Sequence, residues 1–571
     1  GLEFDPLLGV TVFDVVDKSL RPQDIVITGT VDTDVPGDYD LIYTLTDKSG
    51  NSTSITRHVI VTPSSGGLPT TFVLYNGDFE VDQAAPAAAG EGWGWHGTGQ
   101  WNVAIEDGVA RIEMYETVSV FHAVQFYTLN RTATQGHMYR FTFRAKADDP
   151  RPLQLNLESG GVRFAAYFDL TDEWTEYVYE YHHTTASFTN GKFSFFAGNI
   201  HSFSTPTTIY LDDVKVERIL EMSPDTTAPQ IWGAEDTVWV KGQAFDPLLG
   251  LRVYDHYDKA ITVDDIEYTG TVNVDVAGDY DLVYTLEDAS GNVLTHTRII
   301  TVVEAADMPE QRIHFTDGDF EAQTTITNQD NNPGWTLMSG GTGAGTWNPH
   351  QFVDGHLEID ILTVGNVPHS IQFFQRNNFR FEAHSTYVIS FKAKADVVRD
   401  IRVILENPSD NFRNLSLHTV ELGTEWATYE LVLHNGFMST GDAKIGFFLG
   451  LIDPENTSRS AATKVYFDDV EVTLVGYMKD EVAPMIWAPE ATVVQNATFN
   501  PLTGVKYGDF AKFPTLEISS ETVGLVTLDG STYTIDTSTV GTYTLTYTVT
   551  DWLGNVATFD RTLVITEPVT P

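Results

Sequence analysis

The chain repeats itself, and the spacing of its repeats limits what it can fold into. The sequence FDPLLG at residues 4–9 returns at residues 245–250, and a looser version, FNPLTG, stands at residues 499–504. Phe4 and Phe245, Asp47 and Asp288, and Asp78 and Asp319 are each 241 positions apart. Because one offset holds across such different sequences, a long unit is repeated, and units of this kind fold as strings of similar domains.

Two large blocks alternate with the short ones. Each opens on a related sequence, YNGDFE at residues 75–80 and FTDGDFE at 315–321, and each closes on another, IYLDDV at 209–214 and VYFDDV at 465–470. The second and third small blocks begin with an Ala-Pro lead-in that the first lacks, so we expect the first to be incomplete at its N-terminus. The predicted domains are, in order, small, large, small, large and small, at residues 1–63, 71–219, 226–303, 312–476 and 481–567.

Composition narrows the classes of function. The 571 residues carry 33 Lys and Arg against 79 Asp and Glu, and this net charge of −46 repels nucleic acids and anionic membranes. The absence of cysteine excludes disulfides, thiol catalysis and cysteine-bound metals. No run of about 18 apolar residues is present, so membrane insertion is not expected. A neutral ligand, a basic partner or divalent cations fit this charge better.

The small blocks have the pattern of β-strands. Tyr39, Leu41, Tyr43 and Leu45 alternate with polar residues, as a half-buried antiparallel strand requires. Turn sequences of the form Asp-x-x-Gly-Asn follow this strand at residues 47–51, 288–292 and 551–555. With the FDPLLG sequence and the Gly-Asp-Tyr strand, these blocks resemble the immunoglobulin-like repeats of bacterial surface proteins, which implies small β-sandwiches that act as spacers.

The large blocks carry longer strands with the same period of two. Leu153, Leu155 and Leu157 alternate with Gln154 and its polar neighbours, which predicts one apolar and one polar face in a jelly-roll sandwich. The opening NGDFE, an early Gly-Trp, a Gln-aromatic strand and the final Asp-Asp-Val occur in order in both blocks. This ordered set resembles carbohydrate-binding modules of the family 4, 9 and 22 type. The chain is therefore predicted to be all-β, with tandem β-sandwiches in which two jelly rolls alternate with three immunoglobulin-like domains.

The resemblance implies that a glycan chain lies along one concave face of each jelly roll. Sugar binding needs flat aromatic rings for the C–H faces of pyranoses, and amides or guanidinium groups for the hydroxyls. The alternative for any one of these aromatic residues is a place in the core. The candidate residues are Trp93, Trp95, Gln125, Tyr127, Arg144, Asn156 and Tyr167 in the first large block, with Trp335, Trp347, Gln372, Phe374, Lys392 and Glu406 in the second.

The resemblance also implies a structural calcium ion between the first and last strands of each jelly roll. Calcium prefers several oxygen ligands, including carboxylates. The matching residues are Asp78 or Glu80 with Asp213, and Asp319 or Glu321 with Asp469. The alternative is an acidic edge that is simply solvated.

One sequence invites a catalytic interpretation. Residues 358–363, EIDILT, begin like the Glu-x-Asp-x-x-Glu signature of laminarinase-type hydrolases, but Thr363 stands where the acid/base Glu belongs. We therefore expect no enzyme. The predicted function is a non-catalytic, extracellular or surface-attached array that binds polysaccharide or a surface glycan. Two alternatives stay open: a surface filament or adhesin stalk that self-associates without a glycan ligand, and the accessory region of a larger glycoside hydrolase.

Overall fold

The structure is a computed structural model that describes residues 4–568, except residues 8–9, 11, 13, 15–19, 34, 36, 62–70, 73, 75, 84, 88–91, 117, 119, 201–205, 220–221, 311–312, 329–333, 341–342, 377–378, 409–411, 437–440, 442 and 510–513. Tyr75, which opens the first large block, therefore lies outside the described residues. Regular structure in the described part is almost entirely β. Its helices are short 3₁₀ turns at Pro22–Asp24, Phe121–Ala123, Val263–Asp265, Ala305–Asp307, Pro368–Ser370 and Thr457–Ser460. None of the described helices has the length and apolarity needed to cross a membrane.

The first small domain contains one three-stranded antiparallel sheet in the order β1-β2-β3. Its strands are β1 (Val26–Thr28), β2 (Gly37–Thr46) and β3 (Ser52–Val61).

The first large module is a sandwich of two sheets. Its strands are β4 (Thr71–Phe72), β5 (Gly94–Gly97), β6 (Trp101–Glu106), β7 (Val109–Met114), β8 (Val124–Ala133), β9 (Met138–Ala147), β10 (Arg151–Glu158), β11 (Val162–Leu170), β12 (Thr175–His182), β13 (Phe188–Phe196) and β14 (Thr208–Ile219). The five-stranded sheet runs β11-β10-β13-β8-β5. The six-stranded sheet runs β12-β9-β14-β7-β6, with β4 paired to β14.

The second small domain has two sheets, one of which extends into the next module. Its strands are β15 (Gln230–Trp232), β16 (Thr237–Val240), β17 (Arg252–Tyr254), β18 (Glu267–Thr269), β19 (Gly278–Glu287) and β20 (Val293–Val303). Strands β15 and β17 pair with each other, and the others run β18-β19-β20-β16.

The second large module repeats the sandwich of the first. Its strands are β21 (Thr336–Met338), β22 (Thr346–Trp347), β23 (Gln351–Val353), β24 (His356–Thr363), β25 (Gln372–Arg376), β26 (Ser385–Ala395), β27 (Arg399–Asn407), β28 (Arg413–Leu422), β29 (Ala427–Asn435), β30 (Lys444–Phe448) and β31 (Lys464–Met478). The five-stranded sheet runs β21-β25-β30-β27-β28, the counterpart of the five-stranded sheet in the first module.

The third small domain contains three sheets, β32-β34, β33-β39-β38-β35 and β36-β37. Its strands are β32 (Met485–Trp487), β33 (Ala491–Val494), β34 (Lys506–Gly508), β35 (Thr515–Ser519), β36 (Val526–Asp529), β37 (Thr532–Ile535), β38 (Gly541–Thr550) and β39 (Val556–Thr566). The predicted all-β class, with jelly rolls alternating with small sandwiches, is confirmed.

A repeated tyrosine explains the FDPLLG motif of the small domains. The hydroxyl of Tyr43 donates to the main-chain oxygen of Pro6, and Tyr284 donates to Pro247 and Tyr547 to Pro501, each over about the same distance. Tyr284 and Tyr547 are fully buried. The hydrogen bond fixes the proline segment against the strand that carries the tyrosine, and it satisfies a buried polar group.

Strand pairing joins the second small domain to the second large module. Strand β16 pairs antiparallel with the end of β31, with Val238 opposite Tyr477 and Trp239 opposite Gly476. Val475 of β31 lies in the core cluster of the small domain. One ten-stranded sheet therefore runs through both, and this small domain is not an independent spacer.

Candidate functional site

The outer face of the five-stranded sheet in the first module presents two rows of side chains across the strands. Val124 and Phe126 of β8 point into the core, so their neighbours point outward. Strand register aligns these neighbours. The first row contains His96, Gln125, Phe196, Gln154 and Tyr167, and the second contains Gly94, Tyr127, Ser194, Asn156 and Ala165.

Three side-chain polar atoms in the middle of this face lack hydrogen-bond partners among the described residues. Gln154 is 3% exposed, and Asn156 and Ser194 are fully buried. Gln154 Nε2 lies 3.4 Å from Asn156 Oδ1. Gln154 Oε1, Asn156 Nδ2 and Ser194 Oγ have no partner in the described part of the chain. A buried polar atom without a hydrogen bond is unfavourable by roughly 1–3 kcal/mol, so this group of atoms favours a ligand that supplies donors and acceptors.

Lys192 covers part of the face. Its ammonium lies 5.0 Å from the ring centroid of Tyr127 and 5.4 Å from that of Phe196, and it donates to Gln125 Oε1. It also lies 3.5 Å from a carboxylate oxygen of Glu158. This flexible side chain therefore links the two rings to the polar edge of the face.

The structure corrects the predicted position of three tryptophans. Trp93 and Trp335 are fully buried, and Trp95 is 9% exposed. Trp93 stacks on Phe126 and Trp335 on Phe373, inside the sandwiches. These rings are core residues because the strand alternation that turns Gly94 outward turns its tryptophan neighbours inward.

Trp347 lies in another sheet. It sits on β22 opposite Ile361 of β24, away from the five-stranded sheet of its module, and it packs against the core. Its ring therefore does not line the predicted sugar-binding face.

Arg144 and Lys392 also lie away from the five-stranded sheets. Arg144 is on β9, in the six-stranded sheet, where its guanidinium is 3.7 Å from Asp212 and 3.6 Å from Asp213. Lys392 on β26 forms an ion pair with Asp469. Both cations therefore neutralise the acidic strand ends instead of lining the predicted sugar face.

Tyr167 lies at the end of the first row and contacts the second small domain. Its ring meets Trp232 and Tyr254 edge to face, at 5.7 and 4.8 Å between centroids. His256 of the same domain lies 2.7 Å from the main-chain oxygen of Tyr167. The small domain therefore borders one end of the face.

The second module has the same rows with different side chains. Register places Met338, Gln372, Phe448, Arg402 and Thr419 in the first row, and Thr336, Phe374, Gly446, Ile404 and Leu417 in the second. Asn156 is thus replaced by Ile404, and Ser194 by Gly446. Phe374 and Ile404 are buried.

A buried lysine bonds two polar groups of this second face, whereas Arg402 Nε is buried without a partner among the described residues. Lys444 is 2% exposed, lies 3.1 Å from Glu406 Oε2 and donates to Gln372 Oε1. Its ammonium is 4.3 Å from the ring centroid of Phe374 and 5.1 Å from that of Phe448. The faces of the two modules therefore differ at the positions where the first module has the unpaired amide atoms of Gln154 and Asn156.

Both jelly rolls bring the opening sequence next to the last strand, as predicted. Val214 N donates to Gly77 O at 2.7 Å, and Val470 N donates to Gly318 O at 2.8 Å. Asp213 and Asp469 have left-handed backbones, with φ of 50° and 46°. Burial, with Asp213 and Glu80 nearby, raises the pKa of Asp212.

The convergent acidic groups lie elsewhere, in the small domains. Asp225, Asp255 and Asp288 each bring a carboxylate oxygen within 4.8 Å of the others, and Asp480, Asp509 and Asp551 do the same. These clusters could hold a metal ion. Neither contains any of Asp78, Glu80, Asp213, Asp319, Glu321 and Asp469.

The Glu-x-Asp sequence of the second module lies on the opposite side of the sandwich. Strand β24 pairs with β31 in the other sheet. Glu358 is 3.2 Å from the ammonium of Lys464, and Asp360 accepts a hydrogen bond from Asn348. Both acids are therefore held by structural partners.

Gln154, Ser194 and Lys192 are not among the sugar-binding residues predicted from the sequence. The alternation that revealed Asn156 on β10 also turns Gln154 outward. The alternation of Phe193 and Phe195 does the same for Ser194 and Lys192 on β13. The two-residue alternation along the strands was therefore enough to place these side chains on the outer face. It could not show which of the outward residues become buried.

The fold defines a protein of tandem β-sandwiches, and the first jelly roll carries an amide-lined face. Residues 72–207 match the family described as carbohydrate binding domain. Residues 1–61, 229–302 and 520–565 match the Ig-like domain of bacterial surface proteins. The first large block is therefore similar to carbohydrate-binding domains, and the small blocks are similar to Ig-like domains of bacterial surface proteins. These matched residues do not include the second large module.

Solved structures also match the chain. A CBM4 structure is 26% identical and covers 26% of this chain and 100% of its own, with a TM-score of 0.24. The N-terminal cellulose-binding domain of Cellulomonas fimi β-1,4-glucanase C is 17% identical, covers 26% and 100%, and has a TM-score of 0.21. The second N-terminal cellulose-binding domain of that enzyme is 17% identical, covers 30% and 98%, and has a TM-score of 0.22. A search of curated proteins gave no match.

Proposed function

We propose that the first large module binds a polysaccharide chain along the outer face of its five-stranded sheet. The observation that carries this proposal is the group of unpaired buried atoms, Gln154 Oε1, Asn156 Nδ2 and Ser194 Oγ, in the middle of the two rows. Sugar hydroxyls donate and accept, so one pyranose unit could satisfy an amide oxygen, an amide N–H group and a serine hydroxyl together. Apolar ligands could not.

Aromatic rings flank these atoms and supply the second requirement of sugar binding. Tyr127 lies beside Ser194 in the second row, and Phe196 lies beside Gln154 in the first. Lys192 spans these rings, so ligand binding requires its side chain to move aside. A lysine side chain has several rotatable bonds and can take another rotamer at small cost.

The second module is proposed to bind weakly or to take a different glycan. Its face replaces the unpaired amide with Ile404, and Lys444 already satisfies Glu406 and Gln372. Arg402 Nε is the unpaired polar atom left on this face among the described residues, and a guanidinium in place of the amide of Gln154 favours a different ligand. We therefore do not propose that the two modules act as equivalent sites that bind a glycan with avidity.

We further propose that the protein is extracellular or attached to a cell surface and has no catalytic activity of its own. The Ig-like match to bacterial surface proteins supports this location. The matched families are binding and Ig-like domains, which supports the second point. A reducing-sugar assay of the full chain on the polysaccharide it binds should give no product.

Calcium at the edges of the jelly rolls is a separate proposal. The backbone contacts of Gly77 with Val214 and of Gly318 with Val470 support it, because they place the opening segment of each jelly roll, with its acidic residues, beside the acidic end of the last strand. An ion there must displace Arg144 or Lys392 from its carboxylate partner. Calcium binding that disappears in Asp213→Asn and Asp469→Asn would support these sites.

Affinity electrophoresis of the full chain in gels that contain glucan, xylan or mannan tests the glycan proposal. Retardation by one of these polymers is expected, and Tyr127→Ala should abolish it. Trp174→Ala is the matched control, since Trp174 is an aromatic residue that stacks on Arg144 outside the five-stranded sheet. Equal retardation of the two variants, or no retardation of the wild type by any glycan on a broad array, would refute the proposal.

A further inference from the structure

The second and third small domains carry the same three aspartates in the same structural positions. Asp225 and Asp480 stand in the linkers, three residues before each Ala-Pro lead-in. Asp255 and Asp509 directly follow β17 and β34, and Asp288 and Asp551 open the Asp-x-x-Gly-Asn turns after β19 and β38. In each set the carboxylate oxygens lie within 4.8 Å of one another.

Asp255 gives the independent sign of a ligand. It is 2% exposed, and its Oδ1 accepts hydrogen bonds from the backbone nitrogens of Tyr257 and Asp258 at 2.7 and 2.6 Å. Its Oδ2 is buried and has no hydrogen-bond partner among the described residues. A buried carboxylate with a free oxygen beside two other carboxylates is unfavourable unless a positive charge joins them.

No basic side chain of the described residues supplies that charge by an ion pair with Asp225, Asp255 or Asp288. The ammonium of Lys259 donates to the main-chain oxygen of Asp255, at 2.7 Å, and lies over the ring of Tyr254. The three carboxylates therefore converge without an ion-pair partner among the described residues.

We propose that each of these clusters binds one Ca²⁺ ion, a site distinct from the edges of the jelly rolls. Calcium takes oxygen ligands at about 2.3–2.6 Å, so two oxygens on opposite sides of one ion are separated by roughly 5 Å. The 4.8 Å limit on the carboxylate oxygens agrees with a single ion at their centre. Main-chain oxygens and water complete such a shell.

The position of the clusters gives the ion a structural role. Asn292 Nδ2 donates to Asp225 O at 3.3 Å and to Asp288 Oδ2 at 2.9 Å, and Asn555 makes the equivalent bonds to Asp480 and Asp551. Linker and turn are thus already in contact. An ion between them ties the linker to the small domain and fixes its angle to the preceding module.

The first linker is also held from the other side. Ser223 Oγ donates to Glu180 of the first large module at 3.0 Å, and Ser223 N donates to the same carboxylate at 2.5 Å. Calcium bound at Asp225 would therefore lie two residues along the chain from Ser223, which contacts the first large module. The array should stiffen when calcium is present.

Isothermal titration of the metal-free full chain with CaCl₂ tests the proposal. The Asp255→Asn/Asp509→Asn double variant should bind two calcium equivalents fewer than the wild type, and Mg²⁺ should bind more weakly than Ca²⁺ in the wild type. Asn keeps one oxygen for the backbone N–H groups, so the fold should be retained. Asp213→Asn/Asp469→Asn is the control and should keep these two equivalents.

Limited proteolysis of the linker at residues 222–229 gives a second measurement. Calcium should slow cleavage in the wild type and in the control, and should have no effect in Asp255→Asn/Asp509→Asn. Equal calcium binding by the wild type and Asp255→Asn/Asp509→Asn would overturn the proposal. So would cleavage that calcium slows equally in both.

Discussion

Asn156 and Ile404 occupy the same position in the two large modules. Asn156 of β10 pairs with Ser194 of β13, and Ile404 of β27 pairs with Gly446 of β30. Both are fully buried, but only the amide has an unpaired hydrogen-bonding atom. The second module shows that a β-branched apolar side chain is accommodated in this position.

Asn156→Ile should therefore weaken glycan binding without weakening the fold. The substitution removes the unpaired Nδ2 group but also the Oδ1 that accepts from Gln154 Nε2, so the free energy of unfolding is expected to change by no more than about 1 kcal/mol. Affinity for the polysaccharide should fall at least about tenfold, because the hydrogen bonds to hydroxyls are lost. Calorimetry and affinity electrophoresis on the same preparation measure both. A variant that is destabilised and binds normally would show that Asn156 is purely structural.

Gly476 tests the strand pairing between the second small domain and the second large module. A Cβ at this position would lie 2.2 Å from the Trp239 ring, so Gly476→Val should break the pairing of β16 with β31. Overpacking of this kind destabilises by about 1–3 kcal/mol, and the thermal transition that both share should move to lower temperature. Gly423→Ala, where a Cβ meets no atom within 4 Å, is the control. If both variants melt like the wild type, the two units do not depend on this contact.

His434 of β29 lies beside Gly250 of the second small domain and should make the same junction sensitive to acid. Burial, with Arg298 and Arg252 nearby, lowers its pKa from 6.5 to about 4. The unfolded state therefore binds a proton on this ring more readily than the folded state does. The stability that the neutral ring contributes is fully present above pH 6.5 and is lost as the pH falls towards 4. The full shift corresponds to roughly 3 kcal/mol.

The measurement is the melting temperature as a function of pH. His434→Gln should flatten the slope between pH 6.5 and about 4. His369→Gln replaces an exposed histidine of the same module and should leave the slope unchanged. An identical slope in wild type and His434→Gln would contradict the assignment.

Much of the fold was available from sequence because strand alternation and repeats are local signals. Period two placed Gln125 and Asn156 on the outward face, and the ordered motifs identified both kinds of domain. Burial of a particular ring depends on contacts that are distant in sequence. Trp93 follows the alanine-rich sequence AAPAAAGEG at residues 84–92, and only the assembled sandwich shows that it stacks on Phe126.

The candidate site was harder to predict than the fold for the same reason. Arg144 sits in a strand that looks equivalent to the others in sequence, yet β9 belongs to the six-stranded sheet and its guanidinium reaches Asp213. Asp225, Asp255 and Asp288 are scattered over more than sixty positions, so no sequence spacing unites them. Their convergence requires the linker to fold back onto the turn.

Arg399 should be essential to the stability of the second module. It is fully buried, and its guanidinium donates to the main-chain oxygens of Leu449 at 2.6 Å and Ala461 at 2.9 Å. Arg151 binds the equivalent segment of the first module through Ala197 O and Gly198 O.

Arg399→Met keeps most of the side-chain volume but leaves the carbonyl groups of Leu449 and Ala461 without this donor. Each unpaired carbonyl costs about 1–3 kcal/mol, so a total loss of about 2–6 kcal/mol is expected for the two. Scanning calorimetry of the full chain should show one transition moved to lower temperature, whereas Arg413→Met, which replaces an exposed arginine on β28, should melt like the wild type. Unchanged melting of Arg399→Met would mean that water or a rearranged loop satisfies the carbonyl groups instead.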